Sequence, residues 1–287
     1  MFKSHIGKIS SRKEDSHKGD YGKVLVVAGS KCMTGAACLS AMGALRAGSG
    51  LVTCAVPETL NTIMETKLTE VMTLSLPAST DGSSLSFKAL GDILDFAEKC
   101  DVVDIGPGLG ESVDMCKLVS ELIKKIQCPI VLDADGLNVM SGKTDIIKKR
   151  KGLTVITPHP GEAGRMLGED VSFVQENRLD AAKRLCDLTG AVVCLKGHGT
   201  IVASPGGETF VNDTGNSGMA TGGTGDVLTG IIASFIGQGL DPYGASVSGV
   251  YLHGLAGDIA AQKMGIFSMI ASNVLDSLHE AFMRSGL

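Results

Sequence analysis

Between Asn212 and Asp226 the chain reads NDTGNSGMATGGTGD, five glycines and three threonines directly ahead of an apolar run at 227–233. Glycine tolerates positive φ and lets a bulky ligand approach the backbone, so Gly222, Gly223 and Gly225 predict a tight turn against a bound molecule. The run after Gly225 predicts a helix. Its first-turn N–H groups lack intrahelical acceptors, and with the positive end of the helix dipole they form an anion site suited to phosphate. Asp226 falls in that first turn. A carboxylate is favoured there by about 0.3–1 kcal/mol, yet beside a phosphate it is a like charge. Its position is easier to account for if the carboxylate handles a substrate proton. An ordinary loop-to-helix junction with Thr224 as N-cap would explain GTGD alone. It does not explain so many glycines from Asn212 onward.

Other residues able to do chemistry collect where the pattern places the carboxyl ends of strands. They are Gly29-Ser30 with Thr34-Gly35-Ala36-Ala37, Gly106-Pro107-Gly108-Leu109-Gly110, Asp133-Ala134-Asp135-Gly136-Leu137-Asn138, Thr157-Pro158-His159-Pro160-Gly161-Glu162, and Gly197-His198-Gly199-Thr200. In open α/β sheets ligands bind beyond those ends, so with the GTGD loop the six segments predict one large cleft. His159 is locked between two prolines. It reads as a rigid hydrogen-bonding group at a substrate ring, or as a braced loop histidine. Lys196 ends a strand and either reaches a nucleotide phosphate or pairs with a carboxylate. Asp133 and Asp135 either orient a metal–water shell or cap a helix beginning near Gly136. The segment GPGLGE at 106–111 lacks the third glycine of the dinucleotide fingerprint, and no GxxxxGK[ST] occurs. The phosphate site is therefore assigned to the GTGD loop.

The elements that must position these residues follow from periodicity. Segments 24–28, 51–56, 102–105, 130–133, 154–157 and 192–196 are short, apolar and β-rich, as in strands buried on both faces. Helices are predicted at about 36–47 and 112–126, with weaker strand and helix signals at 59–76 and 86–99. Antiparallel strands are predicted around Pro205-Gly206-Gly207 within 199–212. From 224 onward the chain reads as helix, broken near 239–242 and 265–268. Strand alternating with helix predicts an α/β fold with a largely parallel central sheet and helices on both faces. Residues 1–20 read as an N-terminal arm or short helix and 21–287 as a single domain, without linker or internal repeat.

The 44% hydrophobic and 20% charged residues are those of an ordinary globule with a large core. Thirty-eight glycines, spaced at turns, predict many tight loops. A net charge of −5, no long basic run and no Trp argue against nucleic acid as a partner. The patch Lys148-Lys149-Arg150-Lys151 reads as a solvated helix end. The eight cysteines show neither CxxC nor Cys/His ligand spacing and read as reduced core thiols of a cytoplasmic protein. The basic N-terminus lacks the apolar stretch of a signal peptide. No run approaches about 18 apolar residues, so no membrane span is expected.

In order along the chain, GDYGK at 19–23, GPGLG at 106–110, DADGLN at 133–138, TPHPGE at 157–162, KGHGT at 196–200 and GGTGDVLTG at 222–230 resemble the ADP- or ATP-dependent NAD(P)H-hydrate dehydratases. These are a branch of the ribokinase-like fold, and the resemblance spans about residues 19–285. GTGD is shared with sugar and vitamin kinases of that fold, whereas GDYGK, GPGLG and TPHPGE together are narrower. The resemblance implies a ribokinase-like domain that dehydrates the S form of NADH-hydrate or NADPH-hydrate through transient phosphorylation and loss of phosphate. By the same resemblance Asp226 is the catalytic carboxylate in contact with substrate, and Gly225 meets the nucleotide phosphate. Lys196, Gly197, His198, Gly199 and Thr200 hold the AMP portion, while Ala36, Gly108 and His159 line the pocket of the hydrated nicotinamide.

The resemblance also implies Mg²⁺, a homotetramer and, because no epimerase domain precedes the motifs, a stand-alone dehydratase. His198, Ser217 and Gly136 depart from the residues common in the family, away from the expected chemistry. ADP and ATP place phosphates against the same loop, so the donor stays open, with family analogy leaning to ADP. Two other readings compete. One is a small-molecule kinase of the same fold that turns a vitamin-precursor alcohol into a stable phosphate ester. The other is an idle nucleotide sensor, against which the intact Asp226 argues.

Overall fold

A computed structural model of the chain describes residues 12–287. Residues 1–11 of the predicted arm lie outside the described residues, and a short 3-10 turn, Lys18–Tyr21, leads into the first strand. The apolar runs form strands β1 Lys23–Val27, β2 Leu51–Pro57, β3 Met72–Leu76, β4 Val102–Ile105, β5 Ile130–Leu132, β6 Thr154–Ile156 and β7 Val192–Leu195. All are parallel. Two further strands, β8 Ile201–Ala203 and β9 Thr209–Val211, add antiparallel at one edge around the predicted turn. The sheet order is β3-β2-β1-β4-β5-β6-β7-β8-β9.

Period-two alternation divides the strand side chains between two cores. Val24, Val26, Val131, Val155 and Cys194 belong to one, and Leu25, Val27, Val103, Ile130 and Leu132 to the other. The first core is covered by helices Thr34–Arg46, Thr224–Gly237, Pro242–Met264 and Ala271–Ser285, the second by Leu90–Ala97, Val113–Lys125, Pro160–Leu167 and Arg178–Thr189. With both faces buried, a strand has no polar side to show, which is why these segments read as continuous apolar runs. Asp104 is the exception, a carboxylate in the middle of β4 that is fully buried and meets Ser40 of helix Thr34–Arg46.

The strand order reverses between β1 and β4, and the loops after these two strands touch there: Gly29 N donates to Pro107 O at 2.9 Å. Such a switch point opens a crevice at the carboxyl ends of the strands. Two expectations change in detail. The cysteines are all free, but Cys32 is exposed and only Cys54, Cys186 and Cys194 are buried. The basic patch is not wholly solvated, because Arg150 turns inward and donates to the carbonyls of Ile126 and Cys128. Among the described residues no helix is long and apolar enough to cross a membrane.

Helices Thr34–Arg46 and Thr224–Gly237 pack at unusually close range. A Cβ on Gly230 would stand 2.0 Å from Ser40 O, and one on Gly43 2.6 Å from Val227 O. The backbones are therefore in contact, and this contact fixes the helix that carries Asp226. G230A is expected to lower the unfolding free energy by about 3 kcal/mol through overpacking. G91A, where a Cβ meets nothing within 4 Å, is expected to raise it by up to about 1 kcal/mol. Chemical denaturation of both variants checks the contrast.

Candidate active site

The GTGD helix, Thr224–Gly237, has Gly223 as its N-cap in place of Thr224. Gly223 has φ +94°, and a Cβ there would meet Leu39 Cδ1 at 2.4 Å, so two constraints require glycine. Gly222 and Gly225 do not use positive φ. Gly225 instead permits close approach, since its Cβ would lie 3.3 Å from Lys196 Nζ. The Thr224 hydroxyl lies 3.0 Å from the carbonyls of Met219 and Thr221 and closes the loop beneath the helix. Asp258 pins the preceding stretch, accepting from Gly215 N at 2.9 Å and Asn216 Nδ2 at 3.0 Å.

A cavity of about 350 Å³ opens between this loop and the segment after β7. Lys196, Gly197, His198, Gly199 and Thr200 line one side, with Thr224 and Gly225 across from them and His253 among the remaining walls. The volume suits a bound small molecule. Arg178 braces this segment from behind, donating through Nη2 to Leu195 O at 3.0 Å, and to Lys196 O and Gly199 O at 3.4 Å each. Asp226, Ala36, Gly108 and His159 do not line the cavity. The residues of the predicted cleft thus fall into two groups, those that line the cavity and those outside it.

The second group lies around the switch point. A Cβ on Gly108, at φ +65°, would meet Met33 Cβ at 2.8 Å and Ala36 Cβ at 3.2 Å, so Gly108 and Ala36 adjoin. His159 is the N-cap of helix Pro160–Leu167. Its Nδ1 accepts from Gly161 N at 2.9 Å and Glu162 N at 3.3 Å, and its Nε2 stands 3.2 Å from Glu162 Oε1. Both nitrogens are engaged within the cap. Burial, then Lys196 and Arg165, lower its pKa, so the imidazole is neutral. These contacts are those of a braced loop histidine, one of its two expected roles.

Carboxylates and one lysine join the two groups. Asp133, at the end of β5 and 1% exposed, accepts from Lys196 Nζ at 2.5 Å through Oδ1 and from Thr229 Oγ1 at 2.7 Å through Oδ2. Glu162 Oε2 lies 3.9 Å from the same ammonium. Lys196 thus pairs with carboxylates while also lining the cavity. Asp135 accepts from Gly110 N at 2.8 Å, and neither aspartate caps the short helix Asp135–Asn138 with its side chain. Between them Ala134 holds φ +49°, a strained conformation for a residue with a Cβ.

This crowding shapes the titration of the site. Burial, then the charge of Asp133, push the Asp226 carboxyl up to about 7, with Lys196 opposing. Glu162 is likewise raised to about 7, mainly by burial. Burial works against the charge of Lys196, but Asp133 and Glu162 hold its pKa above the usual lysine value. Among the described residues no group of three or more His, Cys, Asp or Glu side chains is placed to hold a metal ion. Both oxygens of Asp133 are already taken, so the donor set does not fit a resident magnesium site.

The sequence did not single out Arg178, Thr229, His253 or Asp258. His253 and Asp258 had a signal, being polar residues inside an otherwise apolar helical stretch. Arg178 had none, because its role depends on where β7 ends in space.

The NAD(P)H-hydrate dehydratase family model matches residues 24–280. A bifunctional NAD(P)H-hydrate repair enzyme of Moorella thermoacetica is 47% identical over 270 residues, 94% of this chain and 51% of that protein. An ADP-dependent (S)-NAD(P)H-hydrate dehydratase of Neisseria meningitidis is 38% identical over 90% of this chain and 83% of its own. The chain spans about half the length of most of the curated relatives it matches. In three dimensions it is similar to the ADP/ATP-dependent NAD(P)H-hydrate dehydratase of Bacillus subtilis, with TM-score 0.84 and 30% identity over 99% of this chain and 97% of the other. A likeness to a ribokinase of Thermotoga maritima, at 13% identity and TM-score 0.55 over 92% of this chain and all of that one, concerns the fold alone, which is ribokinase-like. By sequence and by structure, the chain belongs to the NAD(P)H-hydrate dehydratase family.

Proposed function

We propose that this chain repairs hydrated nicotinamide cofactors, converting the S form of NADH-hydrate or NADPH-hydrate to NAD(P)H with ADP or ATP as phosphoryl donor. The observation that carries the reading is the placement of Asp226. It sits in the first turn of the GTGD helix, next to Gly225 of the cavity wall, with a proton affinity near neutrality. The cavity takes the nucleotide, with Lys196, Gly197, His198, Gly199 and Thr200 around its AMP portion. Ala36, Gly108 and the edge of His159 line the pocket of the hydrated ring.

Asp226 removes the proton of the ring hydroxyl as general base, and the oxygen attacks the terminal phosphoryl group, breaking its bridging P–O bond and releasing AMP from ADP or ADP from ATP. The N–H groups at Thr224 and Gly225 stabilise the transferring charge. The phosphorylated ring then expels phosphate and loses a proton from the neighbouring carbon, restoring the double bond. Magnesium belongs in this reading only as a companion of the nucleotide, as in the Bacillus subtilis protein co-crystallised with ATP/Mg²⁺. The same reading takes 21–287 as one catalytic domain, the compartment as cytoplasmic and the assembly as a homotetramer. Exposed Ile266, Phe267 and Ile270 offer an apolar surface for such an assembly, and light scattering of the purified protein would measure it.

The test is to add ADP or ATP separately to the protein with hydrated NADH, following reduced-nicotinamide absorbance and phosphate together. Nucleotide-dependent, stoichiometric rises in both are expected, whereas a stable phosphate ester without NADH would overturn the reading in favour of a kinase. D226N is expected to abolish turnover while leaving nucleotide binding intact. Because the base acts deprotonated, kcat/KM of the wild type is expected to rise with pH through about 7 and then level. The folded-state pKa of Asp226 lies above its ordinary value, so its ionisation destabilises the fold as pH rises towards 7 and above. D226N is therefore expected to raise Tm by several degrees at neutral pH, the gain vanishing in acid. R178L is expected to raise the KM for nucleotide by about tenfold with little change in kcat, since the carbonyls it braces carry the nucleotide loop.

A further inference from the structure

Asp133 joins the two elements between which the proposed reaction is divided. Its Oδ1 holds the ammonium of Lys196, at the end of β7 and in the wall of the cavity. Its Oδ2 accepts from Thr229, which stands in the GTGD helix one turn beyond Asp226. The side chain is buried, so neither contact is a solvated surface pair. Thr229 Oγ1 also lies 3.1 Å from Gly225 O, which ties the same hydroxyl to the cavity wall.

We propose that Asp133 is a positioning residue of the reaction: its two carboxylate oxygens hold Lys196 in the cavity wall and the GTGD helix one turn beyond Asp226, so that one buried side chain acts on both the nucleotide site and the base. The proposal rests on the dehydratase reading for its chemistry, but its electrostatic half concerns this chain alone. Charged and titratable groups reach the site from every element around it: Asp104 from β4, Asp135 from the loop after β5, and Glu162 with His159 and Arg165 from helix Pro160–Leu167. Lys196 enters from β7 and His253 from helix Pro242–Met264. Asp104 is fully buried and its pKa is raised well above the usual carboxylate range, first by burial, which favours its protonated form. His253 is lowered to about 4 by burial, which favours its neutral form. Burial is the first cause of the raised proton affinity of Asp226; among the charges around it, Asp133 strengthens its hold on a proton most and Lys196 weakens it. Asp133 does both jobs, because it also keeps the lysine engaged.

Removing the charge of Asp133 acts in one direction twice. The like-charge repulsion on Asp226 disappears, and Lys196 is left without its nearest counter-charge, free to favour the Asp226 carboxylate. Asp226 becomes a weaker base. A group that only held the fold together would lower stability or kcat without moving the protonation midpoint.

The test compares D133N, D133E and T229V with the wild type. Carboxyl-carbon NMR titration of Asp226, assigned by its loss in D226N, needs no substrate. The midpoint in D133N is expected to fall by about a factor of ten in proton affinity, while D133E and T229V, which keep the charge, stay near the wild type. In steady-state assays the acid limb of kcat/KM is expected to move to lower pH in D133N alone, with a severalfold higher KM for nucleotide. An unmoved midpoint in D133N, or an equal displacement in T229V, would overturn the proposal. Should D133N fail to fold, K196M gives the opposite sign: its midpoint is expected to rise, and an unchanged midpoint overturns the proposal equally. If the wild type turned over no hydrate, the dehydratase reading would fail by itself, while the titration would still decide the role of Asp133.

Discussion

The ammonium of Lys196, held between Asp133 and Glu162 beneath the start of the GTGD helix, is the interaction around which the site is arranged. Carboxylates brought together from β4, β5 and two helices cannot all stay ionised away from water without a counter-charge. Lys196 supplies it for the pair it touches. Its charge does not offset burial for all of them, and Asp226, Glu162 and Asp104 keep raised proton affinities. A site built this way is costly for folding, since each unmatched carboxylate must be partly neutralised to be buried. It also provides what the proposed chemistry requires, a carboxylate that exchanges a proton near neutral pH.

The backbone makes this crowding possible. Gly230 against Ser40 brings the GTGD helix onto helix Thr34–Arg46, and Gly225 against Lys196 brings it onto the end of β7. Gly223 starts the helix with a conformation that leaves its first N–H groups open towards the cavity. Larger residues at these points would hold the helix away from the sheet and separate Asp226 from Asp133. The high glycine content is therefore more than loop flexibility. Part of it sits inside helices, where it sets distances between charged groups.

The fold was largely legible in the sequence, because parallel strands buried on both faces leave the same mark whether or not their neighbours are known. Strand β4 was read to the residue, and β1, β2, β5, β6 and β7 to within one position at their ends. The 59–76 region stayed ambiguous because its apolar residues serve a short helix and an edge strand whose outer positions are exposed. The site was legible by motif and not by contact. Six segments pointed to one end of the sheet, but which of them line the cavity depends on crossing distances no local pattern carries. The engagement of both His159 nitrogens follows from its N-cap role, which the sequence hinted at only through Pro160 and Glu162, the first turn of the helix it begins.

The start of the GTGD helix bears on how a phosphoryl group could pass between the two groups of residues. Thr224 and Gly225 line the cavity and Asp226 follows immediately in the chain, so the proposed donor site and the proposed base share the first turn of one helix. A nucleotide bound with its terminal phosphate at those N–H groups would present that phosphate directly to a hydroxyl held by Asp226. Most of the effective concentration is then built into the position of one helix, and that position is secured by a glycine contact on one flank and by the Asp133–Thr229 hydrogen bond on the other. Packing and proton chemistry are thus set by the same few residues, which is why the carboxylates are kept despite what they cost the fold.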